Sequence, residues 1–305
     1  MKIIIINPRV SFTSEQIKSL KSLGEVVYIR DAKKIKNNPV FKSKDEKIVA
    51  VSPGIVDWKF PNNFIDRIVN LKGICVPSTS FSWIDGKYLR EKGIVLTNVP
   101  KYSTDSVAEY AISLMFGVAK KLPLVIKNGW KIDYEKHQGF QVKGKTMGVI
   151  GLGAIGTRIA ELGKGVDMKV IYWSRKSRDK RFTYKSLDRV LEQADFIFPT
   201  LAKNEETKNL LDKKKINLMN KEAYIVSITG DEIFDLDFAV KQIQEGKLAG
   251  VALEMEDKTI KDFEGNVWVT PPIAWFTKEA FEEDMRIWVK SIQSVVKGKP
   301  INVVN

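Results

Sequence analysis

The stretch VIGLGAIGTRIA, residues 149–160, decides the fold. Gly151, Gly153 and Gly156 stand in the order GxGxxG, after an apolar run that predicts a strand and before a stretch that predicts a helix. Gly151 permits a tight turn, Gly153 lets a pyrophosphate approach the backbone, and Gly156 lets the helix pack closely on the strand. The helix N-terminus adds positive potential. The stretch therefore predicts a dinucleotide-binding turn, and a glycine-rich turn without a ligand is the alternative.

The next apolar run, KVIYWS at residues 169–174, is expected to end near the adenosine ribose. An NAD site usually has Asp or Glu there, whereas this chain has Ser174 followed by Arg175 and Lys176. A carboxylate would repel a 2′-phosphate, but a hydroxyl beside a guanidinium would hold it. The segment favours NADP over NAD, and an exposed charged loop is the other interpretation. The predicted nucleotide-binding residues are Gly151, Gly153, Ala154, Ile155, Gly156, Ser174, Arg175, Lys176, Thr200, Ile228 and Thr229.

Short apolar runs alternate with helical stretches along the whole chain. The runs are continuous in their hydrophobicity, which is typical of parallel strands covered on both faces. One series lies at residues 2–7, 24–29, 47–52, 73–78 and 93–99, and the other at residues 146–153, 169–174, 196–200, 223–228, 249–255 and 267–270. This alternation predicts an α/β protein with doubly wound parallel sheets.

Helices are predicted between these strands. Ser14 and either Asn62 or Asn63 are candidate caps, and a long helix is predicted from Ser103 to about Lys120. The last helix is predicted to follow Thr277. Its apolar stripe is predicted to comprise Phe281, Met285, Trp288, Ile292 and Val295 or Val296.

The composition excludes several kinds of site. The single cysteine, Cys75, excludes an intramolecular disulfide and a cysteine-based zinc cluster, and the single histidine, His137, removes most other metal chemistry. The formal charge of +13 invites a nucleic-acid interpretation. The basic residues are interspersed with acids, however, and the chain has no recognisable nucleic-acid-binding module, so no nucleic-acid partner is expected.

The N-terminal segment resembles the start of a signal peptide. Lys2 is followed by four isoleucines, but Asn7, Pro8 and Arg9 end the apolar run too early for an export signal. The other apolar runs are far shorter than a membrane span. A cytoplasmic protein without a membrane segment is therefore expected.

Taken in order, the motifs resemble the D-2-hydroxyacid dehydrogenase family, which includes glycerate, phosphoglycerate and glyoxylate-reducing enzymes. The phrases that carry the resemblance are LKGICVPSTSFSWID, KGIVLTNVPKYSTDSVAEYA, GKTMGVIGLGAIGTRIA, VIYWSR, EAYIVSITGDEIFD, GKLAGVALEM and NVWVTPPIAWFTKEA. The resemblance implies a flavodoxin-like split substrate domain at residues 1–97 plus 277–305, and a Rossmann coenzyme domain at residues 98–276. It also implies a homodimer formed through the coenzyme domains.

The resemblance implies hydride transfer between a nicotinamide and the α-carbon of a 2-oxo or 2-hydroxy acid. In the family, an arginine holds the carboxylate, a histidine transfers the proton and a glutamate orients the histidine. This chain has Gly230 in the arginine's place and Pro272 in the histidine's place. The glutamate's place counts to Thr259, with Glu256 three residues earlier. A positioned acid or base contributes about 10² to 10⁴ in rate, so these departures predict lost or altered turnover.

Two further segments bear on this prediction. The family's backbone cradle for the carboxylate ends in glycine, and Ser80 stands there after Ser78 and Thr79, whose hydroxyls are still candidate donors in a substrate pocket. Residues 128–140 correspond to an arm that the family places against the partner subunit. One hypothesis is that His137 or Trp130 enters the partner's cleft, and the alternative is an ordinary surface imidazole.

Three functions remain open from the sequence. The first is an NADP(H)-binding homodimer that has lost or changed its hydride transfer. The second is an active 2-oxo acid or glyoxylate reductase with relocated catalytic groups. The third is an interaction protein with a basic surface and a relic glycine turn.

Overall fold

The computed structural model describes residues 1–255 and 262–305. The chain divides into two units, one comprising Met1–Ser103 with Lys278–Asn305 and the other Thr104–Thr277. The strands are β1 Lys2–Ile6, β2 Glu25–Tyr28, β3 Lys47–Val51, β4 Leu71–Cys75, β5 Val95–Thr97, β6 Thr146–Ile150, β7 Lys169–Trp173, β8 Thr183–Tyr184, β9 Phe196–Pro199, β10 Tyr224–Ser227, β11 Gly250–Glu254 and β12 Val267–Thr270.

The helices connect these strands in the order expected of parallel sheets. They are α1 Ser14–Lys21, α2 Asn62–Ile65, α3 Gly86–Glu91, α4 Thr104–Ala119, α5 Leu122–Lys127, α6 Ala154–Gly165, α7 Leu187–Gln193, α8 Lys213–Ile216, α9 Leu236–Gln244 and α10 Lys278–Val296. Short 3₁₀ helices lie at Arg9–Ser11, Ala32–Lys34, Pro39–Lys42 and Pro53–Ile55.

The first unit has a five-stranded sheet in the order β2-β1-β3-β4-β5, with each neighbouring pair parallel. Ile4 and Ile6 pack on one face of this sheet, and Ile3 and Ile5 pack on the other, beside Trp288 of α10. Both faces are therefore covered, which is why the isoleucine run is continuous. The strand order is that of flavodoxin-like folds.

The second unit has a seven-stranded parallel sheet in the order β12-β11-β10-β9-β6-β7-β8. The order reverses between β6 and β9, whose carboxyl ends lie side by side. In open α/β sheets, ligands bind at such a switch point. The predicted class of two parallel-sheet α/β domains is confirmed, and every predicted strand is present.

Three local predictions were wrong. Thr13, not Ser14, caps α1, because Thr13 and Gln16 have the spacing of a capping box and exchange both hydrogen bonds. Pro61, rather than an asparagine, precedes α2. Phe281 is 38% exposed, because Ala280 and Asp284 occupy the buried positions in the first turns of α10. Within residues 1–255 and 262–305, none of the helices is both long and apolar enough to cross a membrane.

Candidate functional site

The glycine turn connects β6 to α6 in the second unit. Gly151 has a φ of +103°, a left-handed value that favours glycine. A Cβ atom on Gly156 would lie 2.1 Å from the carbonyl oxygen of Gly151, so the helix can pack this closely only without a side chain. A Cβ atom on Gly153 would meet nothing within 4 Å. The backbone is therefore tightly packed between Gly151 and Gly156, whereas the space beside Gly153 is open, as a pyrophosphate would require.

The loop after β9 is tied to this turn. The Thr200 hydroxyl donates a hydrogen bond of 2.6 Å to the Gly151 carbonyl. Ala154 and Ile155 begin α6, and no side chain caps the helix at Gly153. The first N–H groups of α6 thus receive no side-chain cap from Gly153, whose own Cβ position is open. The predicted phosphate-binding residues and Thr200 lie together at the switch point.

The basic segment after β7 is folded around Ser174. The Ser174 hydroxyl accepts a hydrogen bond of 3.2 Å from the Ser177 N–H. The Ser174 backbone carbonyl accepts one of 2.8 Å from the Arg178 guanidinium. The Arg178 guanidinium also lies 4.0 Å from the centre of the Tyr184 ring. These contacts hold a hydroxyl and a guanidinium in one segment where NAD sites usually have a carboxylate.

Arg175 makes an ion pair with Glu206 from the loop after β9, and this pair lowers the pKa of the Glu206 carboxyl. Both side chains are exposed to solvent, so the pair is weak and can exchange for another anion. Lys176 is exposed beside it. The predicted basic residues are thus available to a phosphate at the end of β7.

Ile228 and Thr229 follow β10, the strand next to β9 in the sheet. Both residues are half-buried, and the hydroxyls of Thr229 and Ser227 lie 3.2 Å apart. Ile228 and Thr229 line a cavity of about 310 Å³ at the carboxyl ends of β10 and β11. The structure therefore brings the predicted residues of β10 beside a ligand-sized space.

Gly230, in the position implied for the family's arginine, also lines this cavity. Its φ of +75° is a backbone conformation that residues with side chains rarely adopt. A Cβ atom on Gly230 would lie 3.3 Å from the Nζ atom of Lys203. Lys203, which the sequence analysis missed, reaches this position from the loop after β9, and nothing in the sequence near Gly230 indicates it.

Glu254 at the end of β11 is the second residue that the sequence analysis missed. Its side chain is buried in the same cavity, and one carboxylate oxygen accepts a hydrogen bond of 2.7 Å from the Ala274 N–H. Burial raises the pKa of Glu254, although hydrogen bonds from the Ala274 and Ile273 backbone act in the opposite direction. A charged residue at the end of the apolar run GVALE was the available signal.

The Pro271–Pro272 corner follows β12, and Pro272 lines the same cavity. The bond from Ala274 to Glu254 fixes the loop after the two prolines. Pro272 has no titratable group, so nothing at this position can transfer a proton. Glu256 and Thr259, the candidates for the family's glutamate, lie outside the described residues.

Ser78, Thr79 and Ser80 lie in the first unit, after β4. The Ser78 hydroxyl donates to the Ser80 carbonyl at 2.6 Å, and the Thr79 hydroxyl donates to the Val99 carbonyl at 3.1 Å. Ser80 does not have a positive φ. The Ser78 hydroxyl thus stabilises its own loop, and the Thr79 hydroxyl connects this loop to the segment after β5.

His137 lies in the loop between α5 and β6. Its Nδ1 atom accepts a hydrogen bond of 3.1 Å from the Asp133 N–H, which places the proton of a neutral imidazole on Nε2. Trp130 in the same loop is 70% exposed. The contacts of His137 therefore stabilise a local turn, and the hypothesis that it enters a partner's cleft stays a prediction.

The family model and the similar proteins carry the same family name. The sequence model described as "D-isomer specific 2-hydroxyacid dehydrogenase, NAD binding domain" matches residues 112–274. The chain is 34% identical to the Staphylococcus haemolyticus protein named "Putative 2-hydroxyacid dehydrogenase SH0752", over 82% of this chain and 84% of that protein. It is 33% identical to the Staphylococcus aureus protein named "Putative 2-hydroxyacid dehydrogenase SAUSA300_2254", over 79% of this chain and 81% of that protein.

Two solved structures are similar along nearly the whole chain. An acyclic imino acid reductase in complex with NADPH and D-Arg has a TM-score of 0.82 and 25% identity, with all of both chains covered. A D-lactate dehydrogenase from Aquifex aeolicus, in complex with NAD and lactic acid, has a TM-score of 0.78 and 27% identity. That match covers 98% of this chain and 96% of the other.

Proposed function

From the premise that this chain belongs to the D-isomer specific 2-hydroxyacid dehydrogenase family, we propose that it binds NADP(H) and has lost the family's standard hydride transfer to 2-oxo acids. The observation that carries this proposal is that the nucleotide-binding turn is preserved while two family catalytic side chains at the same edge of the sheet are replaced. The turn at Gly151, Gly153 and Gly156 has the close packing and the open space that a pyrophosphate needs. At Gly230 and Pro272, where the resemblance implies a guanidinium and an imidazole, neither group is present.

The residues at the switch point fit a nicotinamide dinucleotide, which supplies or accepts a hydride when it is bound. The α6 N-terminus and Gly153 would hold the pyrophosphate, and Thr200 fixes the turn by its bond to Gly151. Ser174 and Arg175 would hold a 2′-phosphate. Because no carboxylate side chain lies at residues 174–178, the segment does not repel that phosphate.

The two missing side chains would each have contributed strongly to the rate. A positioned general acid contributes about 10² to 10⁴ in rate, and a preorganised donor to developing negative charge contributes about 10² to 10³. Losing both reduces turnover by more than either alone, although the effects do not strictly add. Ordinary reduction of a 2-oxo acid therefore has no sufficient proton donor among the residues implied by the family.

A fluorescence titration with NADPH and NADH, followed by oxidation assays with glyoxylate, hydroxypyruvate and pyruvate, tests the proposal. Tight NADPH binding without oxidation is the expected result. Steady oxidation would instead identify an active 2-oxo acid reductase with relocated groups. Failure of both nucleotides to bind would favour an interaction protein with a relic turn.

A second candidate is the reduction of an α-imino acid. A protonated C=N bond already carries its proton on nitrogen, so its reduction does not need the imidazole that Pro272 replaces. Asp231, Glu232 and Glu254 line the cavity beside Gly230, and their carboxyl groups suit a cationic substrate. The similarity to the acyclic imino acid reductase supports this candidate. Oxidation of NADPH by glyoxylate only when methylamine is also present is the result expected for it.

Replacing Ser174 with aspartate is predicted to reverse the preference for NADPH over NADH. An aspartate can still accept the hydrogen bond from the Ser177 N–H, and its charge repels a 2′-phosphate. A hydrogen bond to a charged group contributes about 1.5 to 3 kcal/mol, so the ratio of the two Kd values should change by about tenfold to a hundredfold. Parallel titrations of both nucleotides measure this ratio. Ser177→Asp, at an exposed neighbouring position, is the control for added charge, and equal effects of both variants would contradict the assigned role of Ser174.

We also propose that the protein forms a homodimer. Trp130, Ile132 and Tyr134 expose large apolar surfaces on one loop of the second unit, as an interface would require. Sedimentation equilibrium is expected to give twice the mass of the chain. A mass of one chain at micromolar concentration would contradict a stable dimer.

A further inference from the structure

We infer that Lys203 binds the anionic group of a small carboxylate in the cavity at the carboxyl ends of β10 and β11. This inference rests on the proposed function only in that the same unit is proposed to bind NADPH. It assigns the anion-binding role to a residue of the loop after β9, at a distance in sequence from Gly230.

The position of the Lys203 ammonium carries the inference. Its Nζ atom lies 3.3 Å from the point that a Cβ atom of residue 230 would occupy, and its Cε atom lies 3.9 Å from it. The ammonium therefore fills the space that the first atoms of a side chain at position 230 would enter. Gly230 has no side chain to enter that space, and its positive φ disfavours any residue that has one. The loop after β9 thus places the Lys203 ammonium next to position 230.

The partner of Lys203 can be exchanged for a ligand. The ammonium lies 3.0 Å from a carboxylate oxygen of Glu232, and the two side chains are 43% and 56% exposed. An ion pair this exposed contributes little to stability. An ammonium has three donors, and Glu232 occupies one of them. A bound carboxylate can therefore accept from Lys203 beside Glu232 or in its place.

The charges of the other side chains in the cavity make Lys203 essential for binding an anion. Among the described residues that line the cavity, Lys203 is the one cation, and Asp231, Glu232 and Glu254 are acids. The Glu254 carboxyl is buried and accepts from the Ala274 and Ile273 backbone, so its charge is partly satisfied there. Without Lys203, the charged side chains among these lining residues would all be carboxyl groups. Loss of this one ammonium should therefore weaken carboxylate binding strongly.

Calorimetric titration with oxalate, a carboxylate that cannot be reduced here, tests the inference with and without saturating NADPH. Lys203→Ala is expected to weaken oxalate binding at least tenfold, which corresponds to about 1.4 kcal/mol. Lys203→Arg should stay within about threefold of the unchanged protein because it keeps the cation. Lys208→Ala, an exposed lysine of the same loop, is the matched control and should have no effect.

The inference is overturned if Lys203→Ala binds oxalate as the unchanged protein does, or if the unchanged protein binds no oxalate. The melting temperature of Lys203→Ala should stay within about 4 °C of the original value, which shows that the variant is folded whether or not NADPH binds. A protein that binds oxalate through Lys203 but no NADPH would contradict the proposed function and leave this inference standing. The two failures are therefore distinguishable.

Discussion

Replacing Gly153 with valine is expected to abolish NADPH binding and to leave the protein folded. The backbone of Gly153 has a φ of −82° and a ψ of −167°, an extended conformation that valine adopts readily. Apart from the neighbouring residues of the chain, no protein atom lies within 4 Å of its Cβ position, so the valine side chain starts in open space. It would instead fill the place where a pyrophosphate approaches the backbone. Loss of two charge-assisted hydrogen bonds, at about 1.5 to 3 kcal/mol each, predicts at least a hundredfold increase in Kd.

Gly165→Val is the matched control for this variant. Gly165 lies at the other end of α6, and its Cβ position is also open. Both variants should keep the melting temperature within a few degrees of the original protein, and only Gly153→Val should lose NADPH fluorescence enhancement. Equal NADPH affinity of Gly153→Val and the control would show that nucleotide binding does not depend on this turn.

Replacing Asp284 with asparagine is expected to raise the free energy of unfolding at pH 8 by about 3 kcal/mol. Asp284 lies on α10 and is only 5% exposed, and its Oδ1 atom has no hydrogen-bond partner among the described residues. Burial raises the pKa of this carboxyl to about 8. Asparagine keeps the shape of the side chain and removes the charge.

The sign of the pH dependence follows from the raised pKa of Asp284. The folded state binds the proton more tightly than the unfolded state, so the stabilisation is fully present below the ordinary value of 3.8 and is lost as the pH rises toward 8. One pKa unit corresponds to about 1.4 kcal/mol, which sets an upper limit of about 6 kcal/mol for the full shift. Water penetration around the buried charge reduces the expected effect to about half of that limit.

Urea unfolding of both proteins at pH 5, 7 and 8.5 measures this prediction. The free energy of unfolding should fall with pH more steeply in the original protein than in Asp284→Asn. Glu282→Gln, an exposed carboxylate on the same helix, is the control and should change stability by less than about 0.5 kcal/mol. If the free energy of unfolding changed with pH in the same way in the original protein and in Asp284→Asn, the raised pKa of Asp284 would be refuted.

Most of the fold was predictable from local pattern. Continuous β-branched runs such as Ile3–Ile6 indicated strands covered on both faces, and the glycine spacing at 151–156 fixed the position of the switch point. The short strand Thr183–Tyr184 was not predicted, because two partly polar residues carry no periodicity. The caps were misplaced where the side-chain bonds, rather than the residue type, decide the helix start, as at Thr13.

The candidate site was predictable only where the chain is contiguous. Residues Gly151 to Gly156 form their site from one segment, so their spacing was sufficient. Lys203 meets Gly230 because β9 and β10 are neighbours in the sheet, which no local pattern reports. Asp284 lay within a helix of alternating acids and apolar residues, and its burial depends on the packing of α10 against the first sheet.

The central claim is that the nucleotide site is intact while transfer to a 2-oxo acid is lost. Stoichiometric protein incubated with glyoxylate and NADPH deuterated at the transferable position of the nicotinamide tests it most directly, with product followed by NMR over hours. The account predicts that NADPH is bound and that no deuterium appears in glycolate. Deuterated glycolate that the original protein forms and that Gly153→Val does not form would contradict the account.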